Sequence, residues 1–471
     1  MPWKTILTVA TFTAAMLYLR TLDPQLFDLQ SVPLVWQMPV PKPPPIPVEQ
    51  VKIHRQIKIE VAPGAAGVRT PLDLGASTSD AYSYLIDPTH ELDPFFTALN
   101  SGQAVVLHYG DSPTTADLIT ADARALLQKQ FGDGGSGFIL IARPWAWYGH
   151  RGVDMDASNW KIDVAGSSEL KDGLHGLGAA SFRGQTGAVA HWKLKDPTHT
   201  RVEIAYLKQP GGGSFTVEAS GDNGNAQIGS ADTDGEQSPG FASFLIPPGS
   251  KEFTLRVTRG PVRLYGADFR KTGPGVVYSS LGINGANITL LSKALNGAQW
   301  AAELKHYKPN LVVVAFGTNE SGYPKFVDGT WGPELKAAVR RIRAAVPDSA
   351  VLLMSPMDRG ERKDSGDIGT IEALPRLVDI ESKAASDLGV AFFNTFQAMG
   401  GAGTMARWYN GEPRLVGADF IHPMPAGARI VGELLYDALR DGYKEYKLRE
   451  LKKLEVATEG LPASGRSESS N

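Results

Sequence analysis

The sequence contains no cysteine in 471 residues, and that absence removes three kinds of chemistry. Disulfide bonds, thiolate ligands for metal ions and a cysteine nucleophile are all excluded. The absence does not identify the compartment, because an exported protein need not carry disulfides. The lack of cysteine therefore limits the possible catalytic and metal-binding chemistry, but it does not determine the cellular compartment.

Excess charge of one sign is also missing. The formal net charge is −3, from 47 basic and 50 acidic residues, so no basic field favours nucleic acid as a partner. Hydrophobic residues make up 42% of the chain and charged residues 21%, fractions that are ordinary for a soluble globular protein. The length allows two or three domains with cores of their own.

The apolar run near the N-terminus is too short for an ordinary membrane span. It extends from Ile6 to Leu19 between Lys4 and Arg20, whereas a span needs about 17–25 residues. A basic start followed by such a run is typical of a secretory signal, although no clear small-x-small cleavage site follows. We interpret residues 1–22 as an uncleaved anchor, with a cleaved signal peptide as the alternative. Either implies an exported protein, periplasmic or extracellular, and an uncleaved segment would anchor it to the inner membrane.

Proline is concentrated in the next segment. Residues 39–47 read Pro-Val-Pro-Lys-Pro-Pro-Pro-Ile-Pro, and proline at this density acts as a semi-rigid extended spacer. We predict a proline-rich linker over residues 23–50 that holds a catalytic domain away from a membrane surface. A proline-rich ligand for a partner domain is the alternative.

Strand and helix patterns alternate over residues 75–150 and again over 272–442. This alternation predicts a discontinuous α/β domain with a mostly parallel sheet covered on both faces. The predicted strands are Ala104–Leu107, Val276–Ser280, Leu311–Ala315, Ala350–Met354 and Val390–Phe393. The predicted helices are Leu118–Phe131, Pro333–Ala345, Ile371–Leu388 and Ala426–Leu439.

The intervening residues 151–271 show no helical periodicity. Short β-rich runs are separated there by glycine, asparagine and aspartate, a pattern that predicts a β-sandwich inserted into the α/β domain. After the α/β domain, the composition of residues 443–471 predicts a charged helix followed by a disordered Ser/Gly-rich tail.

Ser112 lies where a predicted strand gives way to a predicted helix. The segment His108-Tyr-Gly-Asp-Ser112 follows the apolar run Ala104–Leu107, and Thr114 or Thr115 is a candidate cap for the helix that follows. Ligands of open α/β sheets bind at this edge of the sheet, so Ser112 is a candidate nucleophile. An ordinary turn is the simpler interpretation of Gly-Asp-Ser alone.

A serine nucleophile needs a base, a group that orients the base, and donors for the oxyanion. His422 precedes the last predicted helix, and Asp419 lies three residues earlier, close enough in a turn to reach the imidazole. Asn319 follows the strand Leu311–Ala315, and Gly285 follows the strand Val276–Ser280. Each has an ordinary alternative: a helix cap for Asp419, an Asx turn for Asn319 and a loop glycine for Gly285.

Together these blocks resemble the GDSL/SGNH hydrolase superfamily, in which four blocks supply serine, glycine, asparagine and histidine in this order. The third block, Gly317-Thr-Asn-Glu320, has glutamate where many members carry aspartate. An insert between the first two blocks is similar to that of periplasmic peptidoglycan O-acetylesterases. The insert itself resembles a carbohydrate-binding module.

The resemblance implies a three-layer, flavodoxin-like α/β/α domain with an inserted β-sandwich. It implies that Ser112, Asp419 and His422 are catalytic and that Ser112, Gly285 and Asn319 form the oxyanion hole, with no metal or organic cofactor. The expected activity is removal of O-acetyl groups from a cell-envelope polysaccharide, with acetylated peptidoglycan as the first candidate.

Three other functions stay open on the sequence. The same residues could serve a polysaccharide O-acetyltransferase, in which a sugar hydroxyl replaces water. The protein could instead be a non-catalytic, membrane-tethered glycan-binding protein, or a lipase-like enzyme, although no apolar lid is evident. Four tryptophans could stack on sugars but are more often core residues; they are Trp145, Trp147, Trp192 and Trp331.

Overall fold

The structure, a computed structural model, describes residues 80–167, 170–221 and 224–459. The predictions for residues 1–22 and 23–50 lie outside these ranges. The helices are α1 (Asp93–Ser101), α2 (Ser112–Thr115), α3 (Ile119–Phe131), α4 (Gly297–Tyr307), α5 (Pro324–Phe326), α6 (Gly332–Ala345), α7 (Ala373–Leu388), α8 (Thr395–Ala398), α9 (Thr404–Asn410) and α10 (Pro425–Glu459). Among the helices of these ranges, none has both the length and the apolar character needed to cross a bilayer.

The strands fall into an α/β sheet, a β-rich sheet and a small hairpin. Strands of the α/β sheet are β1 (Leu85–Ile86), β2 (Gln103–Gly110), β12 (Gly275–Gly282), β13 (Leu311–Ala315), β14 (Ala350–Met354) and β17 (Ala391–Phe393). Strands of the β-rich sheet are β3 (Gly135–Leu140), β4 (Val153–Val164), β5 (Ala180–Leu194), β6 (Arg201–Lys208), β7 (Ser214–Gly221), β8 (Gly224–Asp232), β9 (Ser238–Leu245), β10 (Ser250–Arg259) and β11 (Val262–Arg270). The hairpin joins β15 (Gly360–Arg362) to β16 (Ile368–Thr370).

The α/β sheet has the order β1-β17-β14-β13-β2-β12 and is parallel except for β1. Successive residues of a strand point to opposite faces, and in β13 Val312 joins one apolar core while Val313 joins the other. Helices α4, α6 and α7 cover the first face, and α1, α3 and α10 cover the second. The predicted α/β fold class is confirmed, with a parallel sheet between two helical layers.

The carboxyl ends of the parallel strands meet at one edge of this sheet. Gly110 of β2 lies beside Gly282 of β12 on one side and beside Ala315 of β13 on the other. The loops that follow these strands therefore emerge side by side. This is the edge at which open α/β sheets bind their ligands.

A second, β-rich domain is present, as the sequence predicts. Its antiparallel strands follow the order β8-β7-β10-β5-β11-β6-β9, with β3 also paired to β11 and β4 to β5. The two halves of the sheet face each other across an aromatic core. Phe253 of β10 packs against Phe269 of β11 with ring centroids 5.1 Å apart, and Tyr206 of β6 packs against Phe215 of β7 at 5.8 Å.

The β-rich sheet begins upstream of the predicted range 151–271. Strand β3 pairs with β11, from Gly135 opposite Arg270 to Leu140 opposite Gly266. From the sequence, the glycines between Phe131 and Phe138 are predicted to end the helix Leu118–Phe131. In the structure a side chain at Gly135 would collide with the carbonyl oxygen of Phe269, so glycine is needed there to let the strands approach.

Two helix predictions need correction. Thr114 and Thr115 do not cap the helix after Ser112, because both lie inside the short helix α2, and α3 begins at Ile119 without a side-chain cap. The last helix does not end at Leu439. It continues as α10 for 35 residues, since Tyr443 and Tyr446 pack against Phe96 of α1 and carry the helix past Gly442.

Candidate active site

Ser112 is placed by a tight turn between β2 and α2. A side chain at Gly110 would collide with the Thr114 hydroxyl, and one at Gly282 would collide with the backbone of Thr115. Both glycines therefore let α2 start directly above the strand ends. As the first residue of α2, Ser112 has an N–H with no acceptor inside the helix.

The structure brings Ser112, His422 and Asp419 into one hydrogen-bonded chain. The Ser112 Oγ lies 2.8 Å from Nε2 of His422, and Nδ1 of His422 lies 2.6 Å from Oδ2 of Asp419. With Nδ1 donating to the carboxylate, Nε2 is left to accept the serine proton. The imidazole and carboxylate side chains are 48% and 47% exposed, so water reaches the base.

Asp419 is held by its own turn. Its Oδ1 accepts from the backbone N–H groups of Ile421 at 3.0 Å and His422 at 3.1 Å. Partial burial alone would raise the pKa of Asp419, but the hydrogen bonds from His422 and these N–H groups lower it below its usual value. The carboxylate therefore stays charged and caps the turn while it orients the imidazole.

The other two predicted residues, Gly285 and Asn319, line one cavity of about 540 Å³. Gly285 has a φ of +71°, and no heavy atom lies within 4 Å of where its side chain would be. Asn319 donates from Nδ2 to the carbonyl oxygen of Ala286 at 2.8 Å. Because an amide nitrogen carries two hydrogens, this bond fixes the direction of the second one.

Glu320 joins the two loops that carry these residues. Its Oε1 accepts from the N–H of Ile288 at 2.7 Å and its Oε2 accepts from the N–H of Gly317 at 3.1 Å. The side chain is buried, and burial raises its pKa to about 7 despite these hydrogen bonds. The glutamate that departs from the usual third block is thus the clamp between the Gly285 and Asn319 loops.

Two more buried carboxyl groups lie behind the site. Burial and then the neighbouring Glu320 raise the pKa of Asp111, beside the serine, to about 8. The same two causes raise the pKa of Glu381 well above its usual value. Neither oxygen of Glu381 has a hydrogen-bond partner among the described residues, so this group is held in its neutral form.

Asp117 ties the nucleophile segment to the start of the β-rich domain. Its carboxylate accepts from both Nη atoms of Arg124, at 3.0 and 2.6 Å, from the Thr120 hydroxyl at 2.6 Å and from the N–H of Arg151 at 2.7 Å. Burial would raise the pKa of Asp117, but Arg124 and His150 outweigh it and lower the pKa to about 2.

Sequence reasoning missed Asp117, Glu381 and Arg359. Arg359 lies in the loop after β14 and lines the same cavity as Gly285 and Asn319. The sequence could have indicated Arg359 as it indicated Asn319, because each is a polar residue soon after a buried parallel strand. Asp117 lies just before a predicted helix and Glu381 lies within one, and neither pattern indicates that the side chain is buried. The described residues contain no cluster of three or more His, Asp or Glu side chains that could hold a metal ion.

Comparison with known proteins agrees with this arrangement. Residues 243–430 match the family described as GDSL-like Lipase/Acylhydrolase. This part of the chain therefore resembles a GDSL-like hydrolase. The match contains Gly285, Asn319, Asp419 and His422, whereas Ser112 lies upstream, because most of the β-rich domain separates it from the other blocks.

The similarity to the first of two solved structures supports the fold alone. One described as "Peptidoglycan O-acetylesterase in action" aligns with a TM-score of 0.65 and 22% identity over 77% of this chain and 99% of that chain. A family two carbohydrate esterase from Clostridium thermocellum, in complex with cellohexaose, aligns with a TM-score of only 0.27 and 14% identity, over 60% of this chain and 100% of that one. No curated protein matches the chain by sequence.

Proposed function

We propose that this hydrolase is a serine esterase that removes O-acetyl groups from a cell-envelope polysaccharide, with peptidoglycan as the first substrate to test. The observation that carries the proposal is the hydrogen-bonded chain Ser112–His422–Asp419, 2.8 and 2.6 Å between its members. The fold shared with a structure described as a peptidoglycan O-acetylesterase supports the choice of substrate. Such a substrate requires an exported enzyme, periplasmic or extracellular.

In the first half of the reaction, His422 Nε2 removes the Ser112 proton as Oγ attacks the acetyl carbonyl carbon. The negative charge that develops on the carbonyl oxygen is stabilised by the N–H groups of Ser112 and Gly285 and by the Asn319 amide. One such donor contributes about 2.7–4 kcal/mol to the transition state in other serine hydrolases. The tetrahedral intermediate collapses, His422 returns the proton to the sugar oxygen, and the deacetylated sugar leaves.

In the second half, His422 deprotonates a water molecule that attacks the acetyl-enzyme. The serine oxygen leaves and recovers a proton, and acetate is released. Asp419 stabilises the imidazolium form of His422 in both halves.

Exposure of the base separates this proposal from the acetyltransferase alternative. A transferase must keep water from its acyl-enzyme, but the His422 and Asp419 side chains are about half exposed. Water therefore has free access to the base. This exposure favours hydrolysis over transfer to a second sugar.

The test is acetate release from a panel of acetylated glycans that includes peptidoglycan and xylan, compared among wild type, Ser112→Ala and Ser386→Ala. Ser386 is an exposed serine of α7 and serves as the matched control. We expect release from peptidoglycan by wild type and Ser386→Ala, and none by Ser112→Ala. Equal release by Ser112→Ala, or no release from any glycan, would overturn the proposal.

A further inference from the structure

The cavity beside Gly285 and Asn319 contains one feature that ester hydrolysis does not require. At about 540 Å³ it falls within the usual size range of ligand sites. Two of its lining residues are the proposed oxyanion donors Gly285 and Asn319, so the esterase proposal puts the reacting ester against this cavity. The other lining residues include Tyr323, Phe326 and Arg359, and Arg359 is the only basic one.

Arg359 is held in place from one side only. Its Nη1 donates to the carbonyl oxygen of Thr318 at 2.6 Å and to the Ser321 hydroxyl at 3.3 Å, both in the loop that carries Asn319. On its other side, the N–H of Gly360 donates to the carbonyl oxygen of Phe420 at 2.9 Å, which joins the arginine loop to the loop of Asp419 and His422. The guanidinium is therefore fixed against the loop that carries Asn319, and the backbone beside it connects to the loop of the base.

The positive charge of Arg359 is not neutralised within residues 80–167, 170–221 and 224–459. No carboxylate of that part of the chain forms an ion pair with Arg359, and its Nε and Nη2 make no hydrogen bond there. The adjacent Asp358 is committed elsewhere, since its oxygens accept from the Thr370 hydroxyl and the N–H of Met405. Glu320 also lines the cavity, but its two oxygens face the N–H groups of Ile288 and Gly317.

Two nearby polar groups add to this anion-binding character. Asn287 accepts from the N–H and hydroxyl of Thr289 through Oδ1, so its amide nitrogen remains available as a donor. Tyr323 is 69% exposed, and its hydroxyl has no partner in the described ranges. A guanidinium with two free donors suits a planar carboxylate, which it can bind with two parallel hydrogen bonds. One unneutralised positive charge also matches one carboxylate better than a doubly charged phosphate.

We propose that this cavity binds a carboxylate of the substrate through Arg359, so that the enzyme acts on acetyl esters of acidic sugars. The proposal rests on the esterase function above and deepens it. Because the carboxylate site and the oxyanion donors share one cavity, the carboxylate and the acetyl ester belong to the same sugar or to adjacent ones. Two sources have this chemistry: the ring carboxylate of a uronic acid and the lactyl carboxylate of a peptidoglycan sugar.

The test compares pairs of substrates in which the sugar carboxylate is free in one member and reduced or blocked by a peptide in the other. One pair is an O-acetylated polyuronate before and after its carboxyl groups are reduced to alcohols. The other pair is O-acetylated peptidoglycan with and without its stem peptides. Removal of the peptides frees the lactyl carboxylates. The readout is the ratio of kcat/KM for acetate release within each pair. This ratio cancels any general effect of a substitution on the oxyanion loop.

For wild type we expect a ratio of about 10–100 in one of the two pairs, the usual effect of removing a charge-assisted hydrogen bond. The ratio should fall to near 1 in Arg359→Gln and stay high in Arg376→Gln, a control in which an arginine paired with Asp328 is changed. The pair that shows the effect identifies the source of the carboxylate. Wild-type ratios near 1 in both pairs, or a high ratio retained in Arg359→Gln, would overturn the inference.

These outcomes separate the inference from the esterase proposal. Acetate release that is lost in Ser112→Ala but is equal for acidic and neutral substrates leaves the esterase proposal standing and removes the carboxylate site. No acetate release from any of the four substrates contradicts the esterase proposal itself.

Discussion

The Glu320 carboxyl group accepts the backbone N–H of Ile288 over 2.7 Å and thereby joins the loop after β12 to the loop after β13. The same side chain accepts from Gly317. The two loops carry the proposed oxyanion donors Gly285 and Asn319. The spacing between those donors is therefore set by one buried side chain.

Shortening or removing this clamp should weaken catalysis without touching the nucleophile. In Glu320→Ala both N–H groups lose their acceptor, and each unsatisfied buried group costs about 1–3 kcal/mol of stability. We expect a lower Tm and a kcat on nitrophenyl acetate reduced about 10- to 100-fold, less than the loss of about 10²–10³ when an oxyanion donor is removed outright. Glu320→Gln, which keeps one acceptor oxygen, should show a smaller loss. Unchanged kcat in Glu320→Ala would show that the donors keep their spacing without the clamp.

Asp419 has two separable roles: it caps its own turn, and it is the hydrogen-bond partner of the base His422. Asn caps about as well as Asp, but it cannot stabilise imidazolium and can favour the wrong tautomer. Serine proteases lose about 10⁴ in kcat on the equivalent change. We expect a smaller loss here, on the order of 10²–10³, because half-exposed His422 can also use water as a partner.

The control for this substitution is Asp379→Asn, on the exposed face of α7. It should keep both kcat and Tm. A near-normal kcat in Asp419→Asn with an unchanged Tm would reduce Asp419 to a structural cap.

Glu381 should make stability depend on pH. Burial holds its folded-state pKa well above the unfolded value of 4.5, so the folded protein binds this proton more tightly than the unfolded chain. The stabilisation is fully present below pH 4.5 and is lost progressively as the pH rises. Glu381→Gln keeps the shape and removes the titration.

We therefore expect the Tm difference between Glu381→Gln and wild type to move in favour of the variant as the pH rises from about 5 to 8. Measuring a difference cancels the opposite trend from His108 and His150, whose pKa values burial lowers to about 3 and 4. A difference that is constant over this range contradicts the assignment of a neutral Glu381.

Replacing Asp117 should lower the free energy of unfolding more than most single substitutions in this protein. Asp117→Ala leaves the buried Arg124 guanidinium without its partner, and breaking a buried pair in this way costs about 3–5 kcal/mol. The double variant Asp117→Ala/Arg124→Met removes the unpaired charge as well. Denaturant unfolding should show a large loss for the single variant and partial recovery for the double. Equal losses would mean that the unpaired charge is not the cause.

The β-rich domain should fold on its own, and it should be more stable when β3 is included. A fragment of residues 135–271 retains Phe138 and Ile139, both buried, and the pairing of β3 with β11. A fragment of residues 151–271 loses that strand and exposes the facing edge of β11. Circular dichroism should show a β-rich spectrum for both, with a lower Tm for the shorter fragment. A disordered spectrum for the longer one would contradict an independent domain.

The parallel strands were predictable because each is a short apolar run buried on both faces, and β13 and β14 have the predicted bounds. Ser112, Asn319 and His422 were predictable because polar residues stood at strand or helix ends. Strand β3 was not, since its glycines serve close approach to another strand and look like a helix terminus in sequence. The position of Arg359 after β14 was predictable in the same way, but its unpaired charge was not, because the absence of a facing carboxylate depends on residues distant in the chain.

The position of the β-rich domain also affects the route by which the chain folds. Strands β2 and β12 are neighbours, although everything between Gly110 and Gly275 separates them along the chain. The ends of the β-rich domain meet, because the N–H of Val276 donates to Gly132 at 2.8 Å and Gly135 pairs with Arg270. Once this domain has formed, the loop that remains to be closed shrinks to the segment from α2 to Gly132, with a smaller loss of chain entropy. Closure of the edge that carries Ser112 should then follow the β-rich domain in the order of folding.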